Sequence, residues 1–121
     1  MLIEEHAPAG AELGAYAPGC IEIGGRVYTE AVVWRPEGVS RAAAETPADL
    51  TAVDLLYSEG GALPEVVIVG TGAKQQFLHP KIAAALAAEG VGLECMRTDA
   101  ACRTLLLLRG EGRSVWAWLW P

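Results

Sequence analysis

The residues best suited to chemistry lie in a glycine-rich turn in the middle of the chain. Residues 65–69 are mostly β-branched, which predicts a strand buried on both faces, and Gly70-Thr71-Gly72 and Lys74 follow it directly. At the carboxyl end of a buried strand, such a turn can aim backbone amides at an anion, with a lysine close by. The alternative interpretation is that glycine is needed there only to turn the backbone.

The turn matches neither of the common phosphate-binding motifs. The third glycine of the dinucleotide-binding pattern G-x-G-x-x-G would fall on Gln75, and the P-loop pattern fails at the same place. The sequence also contains no G-x-S-x-G, H-E-x-x-H or paired-carboxylate pattern. We therefore expect no recognisable catalytic set.

A second polar group follows the next predicted strand, residues 92–96. Thr98 is predicted to cap a helix that also contains Arg103. Because a helix joins this strand to the preceding one, the two strands should be parallel and should end side by side. The glycine-rich turn and the first turn of the helix should then border one crevice. Free amides, Lys74 and Arg103 would make the crevice positive, and we expect a carboxylate or phosphate guest.

Three further residues bear on this crevice. Glu94 should pair with Arg103 or Arg113 as a structural ion pair, although a general base is the alternative. Cys102 lies near the amino end of the predicted helix, where a thiolate is favoured, but no histidine can be placed beside it. We interpret it as a buried structural thiol. The candidate ligand-binding residues are Gly70, Thr71, Gly72, Lys74, Glu94, Thr98, Arg103 and Arg113.

The elements that position these residues predict an α/β fold with three layers. A mixed central sheet would contain the parallel β-α-β core, an N-terminal β-hairpin and a C-terminal strand, for which we expect the antiparallel direction. Gly24-Gly25 accepts the positive φ angles of a two-residue hairpin turn, and Thr46-Pro47 is a helix start. The predicted strands are 20–23, 26–34, 65–69, 92–96 and 113–120, and the predicted helices are 47–58, 80–89 and 98–108.

Composition indicates the character of residues 1–19 and 35–46, and alternation that of the last strand. Residues 1–19 predict a loosely held arm, with an edge segment around 13–16, before a single domain of residues 20–121. Residues 35–46 are interpreted as a polar connection. In the last strand, three tryptophans (116, 118 and 120) share one face, which favours core packing over a ligand-stacking surface.

Composition excludes several classes of partner. The chain has 121 residues and a net charge of -6, which fits one domain and disfavours nucleic acid. No apolar run approaches the ~18–20 residues of a membrane span, and the first residues do not resemble a signal peptide. Three cysteines without a C-x-x-C motif and two distant histidines predict no metal site and no cofactor. We expect a cytoplasmic protein.

These motifs together resemble the family of domains of unknown function numbered 498, over most of residues 20–120. The resemblance implies a three-layer α/β fold with a mixed sheet and no established enzymatic activity. Eukaryotic members act in assembling respiratory complex I, which implies a protein-interaction role. Leu105 and Leu106 stand where the family usually has an aromatic residue and then Asn. The matching residues are Gly70-Thr71-Gly72, Phe77, Glu94, Met96, Thr98, Ala101, Arg103, Thr104 and Glu111-Gly112-Arg113.

Two functions from different classes are therefore predicted. The first is a non-catalytic interaction or assembly-factor-like module, whose crevice binds a segment of a partner protein. The second is a protein, or an enzyme, that binds a small anionic ligand in the crevice. The lack of a nucleophile–base pair or metal set favours the first. Both hypotheses assume no cofactor, no nucleic acid and no membrane as partners.

Overall fold

The computed structural model describes residues 11–121, in which two β-sheets and three α-helices form three layers. One sheet is antiparallel with three strands, and the other is mixed with five strands in the order β5-β4-β8-β6-β7. The strands are β1 (Leu13–Ala17), β2 (Cys20–Ile23), β3 (Arg26–Tyr28), β4 (Val32–Arg35), β5 (Gly38–Arg41), β6 (Val66–Gly70), β7 (Gly92–Met96) and β8 (Val115–Leu119), and the helices are α1 (Ala52–Leu56), α2 (Pro80–Ala88) and α3 (Thr98–Gly110).

The mixed sheet forms the middle layer because β6 and β8 are apolar on both faces. All five residues of each strand are buried. One face packs against α3 and the three-stranded sheet, through residues such as Ile21 and Leu105. The opposite face packs against α1 and α2, through Leu55 and Leu86. The predicted α/β class with a mixed sheet, a parallel core and an N-terminal hairpin is confirmed.

The direction of the last strand differs in part from the predicted antiparallel direction. β8 runs parallel to β6 and antiparallel to β4, so the expected antiparallel direction holds for only one of its two neighbours. The reason is the length of α3. Its 13 residues span about 20 Å, at about 1.5 Å per residue, which is enough to return the chain to the edge where β7 began. The next strand therefore starts in the same direction as β6 and β7.

The N-terminal hairpin forms as predicted, but its second strand is divided. Gly24 and Gly25 have φ angles of 61° and 80°, and Ile23 pairs with Arg26 across the turn. The strand predicted over 26–34 breaks after Tyr28, because β3 belongs to the small sheet and β4 to the central sheet. The edge segment predicted near 13–16 is β1. Residues 13–17 are thus part of a sheet, and residues 1–10 lie outside the described part.

The interpretation of residues 35–46 as a polar connection is wrong, since it misses β5. Arg35 pairs with Gly38, so Pro36-Glu37 is a two-residue turn that joins β4 to β5. Gly38 has a φ angle of 140°, which a residue with a side chain rarely adopts. The Pro-Glu-Gly sequence is a turn signal that the polar composition hid. β5 lies at the edge of the sheet, with β4 as its single neighbour.

The helix predicted over 47–58 is also divided. A 3₁₀ turn at Pro47–Asp49 is followed by extended Leu50, and a new helix start at Thr51 leads into α1. The Thr51 hydroxyl accepts a hydrogen bond from the Asp54 amide at 3.2 Å, and the Asp54 carboxylate accepts one from the Thr51 amide at 2.9 Å. This capping box fixes the start of α1 five residues later than expected. In this segment Leu50 is buried and Leu56 packs in part against the core, whereas Val53 and Tyr57 are exposed.

The tryptophan stripe of β8 packs in the core. Trp116 and Trp118 are buried, and their ring centroids lie 6.5 Å apart. Trp120 is half-buried at the end of the strand, and its indole donates to the Glu45 carbonyl at 2.9 Å. The stripe therefore joins β8 to the layer that contains α1 and α2.

Trp118→Ala should lower the free energy of unfolding by about 3–5 kcal/mol, because it removes a large ring whose exposed fraction is 3%. Urea denaturation followed by circular dichroism measures the change. Val27→Ala is the control, because Val27 is 61% exposed and its truncation should change stability by less than about 0.5 kcal/mol. A loss below about 1 kcal/mol for Trp118→Ala would contradict its core role.

Candidate functional site

The glycine-rich turn and the start of α3 lie side by side, as the parallel strands require. The Gly72 amide donates to the Thr98 hydroxyl at 2.8 Å, and the Thr98 amide donates to the Gly72 carbonyl at 3.0 Å. The same hydroxyl donates to the Trp120 carbonyl at 2.6 Å. Three segments of the chain therefore meet at one completely buried side chain, Thr98.

Thr98 does not cap α3, which corrects its predicted role. The N-cap is Arg97, whose side chain makes no capping hydrogen bond, and Thr98 is the first helical residue. Because its hydroxyl is used to hold the turn and the end of β8, it is not available to the helix. Threonine at a helix start was a sound signal for the position of α3 but not for the bonding of this side chain.

The amides expected to bind an anion are all engaged within the protein. The Thr71 amide donates to the Met96 carbonyl at 2.8 Å. The Gly72 amide donates to the Thr98 hydroxyl, and the Thr98 amide donates to the Gly72 carbonyl. Gly72 adopts a φ angle of 93°, so the glycine serves the backbone turn. The second interpretation of the glycine-rich turn, as backbone geometry, is the one that these bonds support.

The close approach of α3 explains the first glycine. A Cβ atom on Gly70 would lie 2.9 Å from the Thr98 hydroxyl oxygen, 3.0 Å from the Ala101 side chain and 3.1 Å from the Leu119 side chain. These distances are too short for a carbon atom in that position. Gly70 therefore lets the helix pack directly onto the end of β6, which explains the glycine without a ligand.

Of the four charged residues assigned to the crevice, two are exposed and two interact with carboxylates other than Glu94. Lys74 and Glu94 are exposed, and Glu94 reaches solvent because β7 is an edge strand. Arg103 extends towards Asp99 at 3.9 Å, and Arg113 pairs with Glu65 at 3.1 Å. The predicted pairing of Glu94 with Arg103 or Arg113 is therefore wrong.

The position of Arg113 follows from the direction of β8. An antiparallel last strand would have begun at the carboxyl edge of β6 and β7, next to the crevice. Since β8 is parallel to β6, Arg113 and Glu65 lie at the amino edge, at the opposite end of these strands. Because the strand direction was predicted wrongly, Arg113 was expected at the carboxyl edge of the parallel strands, and it lies at their amino edge.

Cys102 is a buried thiol rather than a nucleophile. Burial raises the pKa of this thiol from 9.0 to about 11, and the Asp99 carboxylate adds to the shift. Because a protonated thiol is a poor nucleophile, Cys102 stays unreactive near neutral pH.

Within residues 11–121, no three His, Cys, Asp or Glu side chains lie close enough to hold a metal ion. In the same residues, no helix is long and apolar enough to cross a membrane.

A feature that the sequence analysis missed lies at the other side of the sheet. The guanidinium carbon of Arg35 is 4.4 Å from the centroid of the Trp116 ring and 5.3 Å from that of Trp118. The alternation of side chains along β4 contained the signal. Arg35 shares a face of β4 with Val33, and Val33 pairs with Trp118 of β8, so Arg35 lies on the same face of the sheet as the tryptophan stripe. The wrong assignment of residues 35–46 to a polar connection hid it.

The fold and the internally bonded crevice define a small three-layer α/β domain. The chain belongs to the family described as "Protein of unknown function (DUF498/DUF598)", whose model matches residues 13–120. A crystal structure of a Bordetella parapertussis protein is similar over 95% of this chain and 98% of its own, with 42% identity and a TM-score of 0.83. The resemblance seen in the sequence is confirmed.

Curated relatives from mouse, rat and zebrafish carry the name "NADH dehydrogenase [ubiquinone] 1 alpha subcomplex assembly factor 3". The mouse protein is 42% identical over 57 residues, which are 47% of this chain and 31% of the mouse protein. The zebrafish protein is 26% identical over 122 residues, which cover 99% of this chain and 70% of that protein. The match therefore spans about a third of the mouse relative and most of the zebrafish one.

Gly70→Ala should lower the free energy of unfolding by about 1–3 kcal/mol, because the added methyl group must displace α3 or Leu119. Gly92→Ala on the neighbouring strand is the matched control. A Cβ there meets its nearest atom at 3.7 Å, so stability should change by less than about 1 kcal/mol. Urea denaturation compares the two variants. Equal effects would show that the close contact at Gly70 does not limit stability.

Proposed function

We propose that this domain is a non-catalytic protein-interaction module of the assembly-factor kind, and that the loop between β6 and α2 contacts the partner. The observation that carries the proposal is Phe77, the only phenylalanine of the chain, whose exposed fraction is 81%. Aromatic side chains dominate the energetics of protein interfaces, and an exposed one on an ordered loop is a natural anchor.

The loop that presents Phe77 is held in place by hydrogen bonds of residues 71–76, which lie just before it. The Thr71 hydroxyl donates to the Lys74 carbonyl at 2.7 Å and accepts from the Gln76 amide at 3.1 Å. The Gln75 side chain donates to the Cys95 carbonyl, and the Cys95 thiol donates to the Gln76 carbonyl. A loop bonded in this way loses little conformational entropy when a partner binds, which favours affinity.

The residues of the predicted crevice take part in this function as supports. Thr98 and Gly72 fix the root of the loop, and Gly70 allows α3 to approach it. Lys74 is exposed on the same loop, so it is placed to meet an acidic group of the partner next to Phe77. The names of the mouse and zebrafish relatives support an assembly role, which we transfer to this chain as part of the proposal.

A photo-crosslinking amino acid at position 77 should give one discrete adduct in the native host, identified by mass spectrometry. The same amino acid at position 27 is the control, because Val27 is also exposed but lies in the small sheet. Phe77→Ser should abolish co-purification of the identified protein while stability changes by less than about 0.5 kcal/mol. No adduct at position 77, or identical adducts at both positions, would contradict the proposal.

The alternative function, binding of a small anion by the crevice amides, makes a different prediction. Since the Thr71, Gly72 and Thr98 amides donate within the protein, millimolar sulfate, phosphate or citrate should leave their NMR signals in place. The Lys74 amide provides the comparison on the exposed part of the loop. Saturable shifts of the three crevice signals would favour anion binding over the interaction role.

A further inference from the structure

A cavity of about 390 Å³ lies between β4, β5 and α1, on the face of the sheet that carries the tryptophan stripe. It exists because α1 has five residues and leaves this end of the sheet uncovered. Its volume is within the range of small-molecule sites, about 300–1,000 Å³. The larger apolar side chains of its wall are Val33, Leu50, Val53, Tyr57 and Trp118.

Arg35 lines this cavity as a cation. Its guanidinium lies over the Trp116 and Trp118 rings, and one of its nitrogens donates to the Tyr57 carbonyl at 2.8 Å. No carboxylate of residues 11–121 lies within ion-pair distance of it. Burial lowers the pKa of Arg35, and the nearby Glu37 carboxylate opposes that shift in part. A guanidinium stays charged in proteins, so its remaining N–H groups can serve an anion.

The other arginine of the cavity shows the contrast. Arg41 also lines it, but its side chain is paired with Glu30 at 3.3 Å. Arg109 resembles Arg35 in lying over a tryptophan, with its guanidinium carbon 4.1 Å from the Trp34 ring centroid, but Trp34 packs on the other face of the sheet, with Leu105 of α3. Arg35 combines a stacked cation, an apolar wall and an accessible volume.

The polar groups around Arg35 restrict the charge of a guest. The Asp54 carboxylate also lines the cavity, so a dianion such as phosphate would meet about twice the repulsion that a monocarboxylate meets. The Ser40 hydroxyl faces the same space and makes no hydrogen bond within the described residues, which provides a second donor. Carboxylate geometry matches the two parallel N–H groups of a guanidinium.

We propose that this cavity binds a monocarboxylate with an apolar body, with the carboxylate on Arg35 and the apolar body against Trp118, Leu50 and Val53. The site lies near the opposite edge of the sheet from Phe77, and it does not depend on the proposed interaction role. The ligand is either a free aromatic or aliphatic acid or the terminal carboxylate of a peptide that ends in an apolar residue. Both sources share the chemistry that Arg35 recognises.

NMR titration with 3-phenylpropanoate tests the site. The signals of Ser40, the Trp118 indole and the Arg35 side chain should shift and saturate. The alcohol 3-phenylpropanol, which keeps the ring but has no charge, and acetate, which has no apolar body, should bind at least about tenfold more weakly. A tripeptide that ends in phenylalanine, with a free or an amidated carboxyl terminus, identifies the source. If the free-acid tripeptide binds more tightly than 3-phenylpropanoate, a peptide terminus is the natural guest.

Two variants in the cavity provide the matched comparison. Arg35→Gln should weaken 3-phenylpropanoate binding by about tenfold or more, whereas Arg41→Gln should change it by less than about twofold. Val53→Asp adds a carboxylate on a side chain that is 75% exposed, so it should fold normally and weaken binding by about tenfold. The proposal is overturned by the absence of saturable shifts, by equal affinity for the alcohol, or by equal effects of Arg35→Gln and Arg41→Gln.

Discussion

The hydroxyl group of Thr98 is the point on which the carboxyl edge of the sheet depends. It accepts a hydrogen bond from the Gly72 amide and donates one to the Trp120 carbonyl. A single oxygen atom therefore links the start of α3, the loop after β6 and the end of β8. A buried hydroxyl with both functions satisfied contributes more than an isolated hydrogen bond, because losing it would leave the buried Gly72 amide and the partly buried Trp120 carbonyl without these bonds. The loop after β6 therefore has a fixed origin.

The local signals in the sequence predicted the elements near this point well. The β-branched run and the two glycines located β6 and its turn, and the hairpin at Gly24-Gly25 has the expected positive φ angles. Local signals failed where the answer depended on distant contacts. Whether the Thr98 hydroxyl caps its own helix or bonds to Gly72 depends on segments more than twenty residues away, which no local pattern encodes.

The errors at the other end of the sheet have one physical origin each. The direction of β8 is set by the length of α3 and by pairing with β6, and a short turn before the strand carries no information about it. The strand β5 was hidden because its residues are polar on the exposed side and it has a single neighbour. Hydrophobic periodicity detects strands that are covered, and it is weakest at edges. Arg35 was missed for the same reason, because it was read as the start of a polar segment.

The position of β5 at the edge of the sheet has a consequence for pairing with other chains. In an antiparallel strand, the backbone N–H and C=O groups of alternate residues point to the same side. The Ala42 amide donates to the Ala31 carbonyl, on the side of β4. The backbone groups of Val39 and Arg41 therefore point to the open side of the edge. Such an edge can template pairing with another chain. Its four-residue length, the proline in the preceding turn and the charged pair of Arg41 with Glu30 make it a poor template, which protects the domain against strand-by-strand association.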